Sequence, residues 1–381
     1  MSPQLIDTQE ALDEALAWLR GQPHLALDTE SDSFFAYRPR VCLLQVSVPE
    51  HDLLIDPLAE LELAPFGQVL ADPATEVVLH AAENDVLMME RDFGWRIGRL
   101  YDTQVASFVL GIPPYSLAGI LETRFGVKLN KKMQRSDWSR RPLEPAQIKY
   151  AAEDTSHLLP LAEELRGLAR EGGREEEIAT ECRRIAGRKW ESPEPDPEAF
   201  RRTPGAKELD PVSLRVLRDL LRFREREAER RNRAAFRIVP DQALVALTRA
   251  PKPSGGRGVP EKWFAPRREE IERIVRDARA KGPLPPPKRK PRPPRDPNAR
   301  AVKRRYDGLR QWRAPVAEAR GVEAFVVARN DMLLEIARRN CRTLDDLGQI
   351  VEPYRLREYG EAMLGAMLDS SAEGSDNRPR D

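Results

Sequence analysis

The chain of 381 residues is 40% hydrophobic and 33% charged, and its 63 Lys and Arg nearly cancel 62 Asp and Glu, leaving a formal net charge of +1. A length of this order holds two or three domains, and the balanced total excludes overall charge as the means of attracting a polyanion, so any such pull must come from local clusters. Cys42, Cys182 and Cys341 lie far apart with no CxxC pair, the first residues lack a basic-then-apolar leader, and no apolar run approaches the roughly 20 residues that span a bilayer; a disulfide scaffold, a structural zinc site and a membrane partner are not expected, and a cytoplasmic setting is.

In chain order, Asp7 with Glu10 reads as a capping box opening a helix to about Arg20. "HLALDTE" then reads as a buried strand, and the apolar runs at 41–48 and 52–55 as a hairpin. "LAPFGQVLA" has a helical pattern, "EVVLHA" (76–81) returns to strand, and "NDVLMMERDF" opens a helix with Asn84 or Asp85 as its cap. From Asp102 to about Lys189 the pattern is helical, interrupted at 111–115 and 141–145. Residues 1–190 are therefore expected to be an α/β domain, a mixed sheet followed by helices.

The stretch 191–207, rich in proline and charge, reads as a linker. Residues 208–281 and 301–370 read as two small all-α bundles with one order of features. A long arginine-rich helix leads to a turn, "RIVPDQAL" in the first and "FVVARNDML" in the second, then to a short helix and a closing helix. This is the pattern of an internal duplication. The first copy carries a longer Gly- and Pro-rich loop, "RAPKPSGGRGVPEKWFAP". Between the bundles, 282–300 breaks all periodicity, and only Asp296 offsets its Lys and Arg. It is expected to be an extended tether that attracts phosphates non-specifically. Residues 371–381 are expected to be a disordered tail.

The informative residues are carboxylates. Asp28 and Glu30 lie two apart, so on a strand both point to one face. Asp85 follows the strand at 76–81, and in "YAAEDT" Tyr150 and Asp154 are four apart on one helix face. Singly, each has an ordinary explanation: a solvated strand end, a helix cap, an amphipathic pair. Together they bring four carboxylates and a phenol to one place, where mutual repulsion calls for hard cations. Oxygen ligands without histidine suit two divalent ions, Mg²⁺ or Mn²⁺. Such a pair, about 4 Å apart, clamps a phosphodiester during displacement, and the tyrosine at the rim orients the attacking water. No GxxxxGK[ST] loop is present, so no nucleotide cofactor is expected.

"LALDTES", "VLHAAENDV" and "YAAEDT" resemble the three motifs of the DEDD superfamily of 3′→5′ exonucleases. "QRSDWSRRPLEPAQIKYAAEDTSHLLPL" is similar to the ribonuclease D family in particular, and the two bundles resemble its HRDC modules. The resemblance implies a ribonuclease H-like exonuclease domain followed by two HRDC bundles. It implies that Asp28 bridges two metals, that Glu30 and Asp154 hold the ion that activates water, and that Asp85 holds the second ion. Tyr150 then marks the tyrosine subclass, because Lys149 stands where the histidine subclass carries its histidine. Thr29, Phe34, His80 and Asn84 become candidate contacts to the terminal nucleotide, with a satisfied strand-end histidine as the ordinary alternative for His80 and a core position for Phe34 or Phe35. Trp138, Arg140 and Arg141 are candidates for the mouth of the site, with a core role favoured for Trp138. Gln45 is either bonded to backbone near the site or placed at the sheet edge.

The expected function is hydrolysis of RNA with a free 3′ end, transfer-RNA precursors by resemblance, to nucleoside 5′-monophosphates by a monomeric enzyme. The rivals are a 3′→5′ DNA exonuclease and a catalytically silent nucleic-acid-binding scaffold.

Overall fold

A computed structural model of the chain describes residues 3–192, 194–249, 261–286 and 297–372, without the side chains of 369–372. Much of the expected tether (287–296), the long loop of the first bundle (250–260) and the tail (373–381) lie outside the described residues.

The first half is a six-stranded mixed sheet with helices packed on it. Its strands are β1 (Gln4–Ile6), β2 (His24–Ser31), β3 (Val41–Val48), β4 (His51–Ile55), β5 (Glu76–Leu79) and β6 (Arg99–Asp102), in the order β1-β4-β3-β2-β5-β6. β3 pairs antiparallel with both β2 and β4, whereas β2 is parallel to β5 and β5 to β6. The β3–β4 hairpin stands as expected. β1 and β6, three and four residues long, were not foreseen, because so short a run carries no periodicity.

The accompanying helices are α1 (Gln9–Leu19), α2 (Ala64–Ala71), α3 (Glu83–Phe93), α4 (Thr103–Leu110), α5 (Leu117–Phe125), α6 (Pro145–Thr155), α7 (Leu158–Glu171) and α8 (Glu175–Ala186). α1 is capped by Thr8, whose hydroxyl accepts from the Ala11 N–H, one residue beyond the expected Asp7. Strand alternation divides the core. Leu25, Leu27, Leu44 and Val46 join Leu12, Leu16, Leu161 and Leu165 on one face of the sheet. On the other face Leu43 and Leu54 pack under Trp138, Leu143 and Ala151, joined by Cys42 where a bulge breaks the β2–β3 register between Glu30 and Ser31. Each leucine buried in this way contributes about 1.5–3 kcal/mol. The register pairs Asp28 with Gln45 and Glu30 with Leu43, so both acids fall on the face that α6 covers.

The first helical block comprises α9 (Pro211–Arg230), α10 (Ala235–Ile238), α11 (Asp241–Arg249), α12 (Glu261–Phe264) and α13 (Arg268–Ala280); the second comprises α14 (Ala299–Arg320), α15 (Ala324–Val327), α16 (Asn330–Arg339), α17 (Leu344–Gly348) and α18 (Pro353–Ala372). Each has its own apolar core. The segment read as a linker is not wholly extended: it forms 3₁₀ turns at Ala199–Arg202 and Ala206–Glu208, and Ala206 enters the first core. The two blocks repeat a polar clasp. Arg224 donates to the Val239 carbonyl and to Asp241, and Arg313 donates to the Ala328 carbonyl and to Asn330, each carbonyl 15 residues beyond its arginine.

Both blocks grip the α/β domain through the turn that follows their long first helix. In the first, Asn232 accepts from the Arg38 N–H at 3.2 Å, Ala234 N–H donates to the Phe35 carbonyl at 2.7 Å and Arg237 to the Phe34 carbonyl. In the second, Arg320 meets Glu177 at 2.9 Å, Arg329 meets Glu181 at 3.0 Å and Phe325 packs edge-on against Phe108. Among the described residues, no helix is long and apolar enough to cross a membrane.

Candidate active site

Two elements deliver the acids. β2 presents Asp28 and Glu30 on one face, and α6 lies over that face. α6 begins with Pro145 in its first turn and a capping box between Glu144 and Gln147, which fixes where its register starts. From that start Tyr150 and Asp154 fall one turn apart. Carboxylate oxygens of Asp28, Glu30 and Asp154 all lie within 4.8 Å of one another.

Asp85 stands outside that trio and is steadied separately. The Thr29 hydroxyl donates to it at 2.5 Å. From its own face of β2, opposite Asp28 and Glu30, Thr29 thus holds a third acid. Asp85 is not a helix cap, and neither is Asn84. α3 starts at Glu83 without a side-chain cap. Asp102, at the end of β6, accepts from the Ala81 and Ala82 N–H groups at 3.0 and 2.8 Å and caps α4 through Gln104 and Val105. Ala81 has φ +60°, a left-handed conformation that costs a non-glycine residue about 1–2 kcal/mol. The Asp102 bonds hold that turn and leave the Asp85 side chain free for Thr29. Sequence reading missed Asp102, although an acid between a strand and a helix ("YDT") is a signal for a cap.

The site is charged against itself. Burial, and then the charges of Asp85, Asp154 and Glu30, raise the Asp28 carboxyl well above its usual value. Glu30 is pushed up to about 9 by burial and by Asp154 and Asp85. Burial lifts Asp154 to about 7 against the hydrogen bond from Tyr150, and Asp85 to about 6 against the one from Thr29. No lysine, arginine or histidine forms an ion pair with any of the four among the described residues. Burial also raises the Tyr150 hydroxyl, with Asp154 and Glu30 adding to the shift, so it remains protonated; its one proton goes to Asp154 and its oxygen can still accept from a water. Hard oxygen donors, crowded and without a cationic side chain, fit divalent cations.

The other expected residues divide. Phe34 is 42% exposed, with the Arg135 guanidinium 5.6 Å from its ring centroid, and Asn84 is exposed. His80 takes the satisfied alternative: its Nδ1 meets the Thr103 hydroxyl at 2.9 Å and its Nε2 the Tyr115 carbonyl at 3.2 Å, leaving no ring nitrogen for a nucleotide. Trp138 is core. Arg141 does not line a mouth; it pairs with Asp56 and donates to the carbonyls of Cys42, Trp138 and Arg140. Gln45 is fully buried on a central strand, not at the sheet edge, and neither amide atom has a hydrogen-bond partner.

Residues 3–169 match the family model for 3′-5′ exonuclease, and residues 302–367 the model for the HRDC domain. The chain is 36% identical over 246 residues to ribonuclease D of Cronobacter turicensis, an alignment covering 64% of this chain and 66% of that one. It is 35% identical over 250 residues to ribonuclease D of Musicola paradisiaca, covering 65% and 67%. The aligned region thus spans about two thirds of the length of these curated relatives. The crystal structure of Escherichia coli RNase D, described as an exoribonuclease involved in structured RNA processing, superposes with a TM-score of 0.62 at 26% identity, over 97% of this chain and 99% of that one.

Proposed function

This chain belongs to the ribonuclease D family, and from that premise we propose that it is a divalent-metal-dependent 3′→5′ exoribonuclease that removes nucleotides one at a time from RNA with a free 3′ end. The observation that carries this is the convergence of Asp28, Glu30 and Asp154 with no cationic side chain among them. Two Mg²⁺ or Mn²⁺ ions, when bound, supply positive charge at the scissile phosphate and make a water acidic enough to attack it. Asp28, whose carboxyl feels the charges of all the other three acids, would help hold both ions. Glu30 and Asp154 would help hold one, and Asp85, steadied by Thr29, the other. Tyr150, held on Asp154 and protonated, orients the attacking water rather than deprotonating it. The products are nucleoside 5′-monophosphates. Precursors of transfer RNA are the proposed substrate class, acted on by a cytoplasmic monomer, with both helical blocks serving as HRDC-type RNA-binding modules.

The test is purified protein with 3′-extended RNA or the matched DNA, with Mg²⁺ or with chelator, beside Asp28→Ala. Metal-dependent shortening of RNA from its 3′ end, lost in the variant, is expected. Preference for DNA would move the assignment to a DNA exonuclease, and no product on either strand would leave only a binding scaffold.

A further inference from the structure

The two helical blocks place a phenylalanine at the same point of the repeat, and the two side chains meet different fates. Phe325 sits on the four-residue helix α15 and packs edge-on against Phe108, 5.0 Å between centroids. Phe236 sits on the matching helix α10, is 53% exposed, and has no ring partner among the described residues. Repetition of the fold accounts for an aromatic at this position. Phe325 is itself 48% exposed, so what separates the two is the ring partner: Phe325 has Phe108, and the Phe236 ring has none among the described residues and leaves its apolar surface unstacked.

The neighbours of Phe236 say what the ring is placed against. The residues around it, Ala234 and Arg237, bind the carbonyls of Phe35 and Phe34, and the Arg237 guanidinium lies 3.7 Å from the Phe35 ring centroid. Phe236 is therefore fixed beside the loop that follows β2, whose last residue is Ser31. On that loop Phe34 is also exposed, with Arg135 over its ring. Two solvent-facing aromatic rings, one from each domain, thus stand at the contact between the first block and the loop after β2. Arg135, placed over the Phe34 ring, and Arg233 are both exposed and form no ion pair among the described residues, so both bring uncompensated positive charge to this part of the molecule. Exposed aromatic rings interleaved with free arginines are the means by which proteins hold single-stranded nucleic acid: bases stack on the rings and phosphates meet the guanidinium groups, with little regard to sequence.

We propose that Phe236 of the first helical block and Phe34 of the catalytic domain form one stacking platform for the single-stranded 3′ segment of the RNA substrate, upstream of the nucleotide being cleaved. The proposal rests on the exoribonuclease reading above. It assigns the two blocks different work. The second uses its phenylalanine to dock on the catalytic domain; the first docks through backbone and Arg237 and keeps its phenylalanine for the substrate. The platform also gives the enzyme a preference for an unpaired 3′ end of some length, because a substrate too short to reach Phe236 gains nothing from it.

The experiment compares kcat/KM for a single-stranded RNA of about ten nucleotides and for a dinucleotide, in Mg²⁺, for the wild type, Phe236→Ala and Phe236→Trp. Loss of one base stack corresponds to about tenfold. The wild-type preference for the longer RNA is expected to shrink by about that factor in Phe236→Ala, through KM rather than kcat, and to return in Phe236→Trp. An unchanged preference in Phe236→Ala overturns the platform. So does a loss that tryptophan does not restore, or light scattering showing that the alanine variant turns a dimer into a monomer, since the ring would then serve packing or self-association. A wild type that cleaves neither RNA fails the exoribonuclease reading itself, a result distinguishable from all of these.

Discussion

Glu177 and Glu181 on α8, and Asp28, Glu30 and Asp154 between β2 and α6, are all carboxylates withdrawn from much of their water, and they are compensated in different ways. Glu177 meets Arg320 at 2.9 Å and Arg174 at 3.4 Å. Glu181 meets Arg184, Arg329 and Arg355. Burial pushes Glu181 up, but those three guanidinium groups together bring it below its usual value. Glu177 stays above its usual value because burial outweighs its arginines, and the acids between β2 and α6, which have no cationic partner, are raised without any such offset. A buried charge left alone costs several kcal/mol. Where the fold needs a contact between domains it supplies the counter-charge from its own side chains. Where it withholds the counter-charge, the acids fit the divalent cations of the proposed mechanism.

The comparison can be broken from either side. The largest effect is expected from Asp28→Ala: Mg²⁺-dependent shortening of RNA falls by about a thousandfold or more, with the far-ultraviolet circular dichroism unchanged, because in the proposed mechanism this carboxylate would help hold both ions. An active variant would place the cation elsewhere. On the other cluster, Arg355→Ala removes a fully buried guanidinium that also donates to the Val326 and Val327 carbonyls. Stripping one partner from such a pair costs about 3–5 kcal/mol. A clear drop in melting temperature is expected, with cleavage of a dinucleotide at low temperature much less affected than in Asp28→Ala.

A smaller effect belongs to Tyr150→Phe, which leaves every carboxylate in place and removes one hydrogen bond to Asp154. Metal titration should change little while the rate falls by about tenfold to a hundredfold, the cost of a misplaced nucleophile. An unchanged rate would remove Tyr150 from the mechanism. The mildest test is pH. Unfolded carboxyls titrate near 4, whereas Asp154 and Glu30 in the metal-free fold titrate at about 7 and about 9. Between those limits the native chain holds protons that the unfolded chain has released, so metal-free stability falls as pH rises from about 4 to 9. Melts across that range, with chelator present, should show the decline. A flat or rising profile would mean that the acids are compensated after all.

Much of this was legible in the sequence, for reasons that differ by residue. Asp28 and Glu30 share a face because strands alternate, and Tyr150 and Asp154 share one because helices turn every 3.6 residues; neither inference needs tertiary contacts. The β3–β4 hairpin and the repeat of the helical blocks follow from patterns of the same local kind. What stayed hidden depends on partners distant in the chain. His80 is engaged by Thr103 and Tyr115, Arg141 by Asp56, and the turn before α3 by Asp102. The spacing of these pairs carries no period. The strands β1 and β6 are too short to show one. Ala206 looked like linker because its neighbours are proline and charge, and only the packing of the first block shows that it is core.

The central claim, that the acids under α6 are kept unpaired for a cation, is tested most directly by thermal melting at pH 8 of the wild type and Asp28→Asn, each with chelator and with Mn²⁺. The wild type should melt distinctly higher with Mn²⁺. Without metal the asparagine variant should melt above the wild type, because one repelling charge is gone, and it should gain little from Mn²⁺. Identical wild-type melts with and without metal, together with no gain in the metal-free variant, would contradict the account.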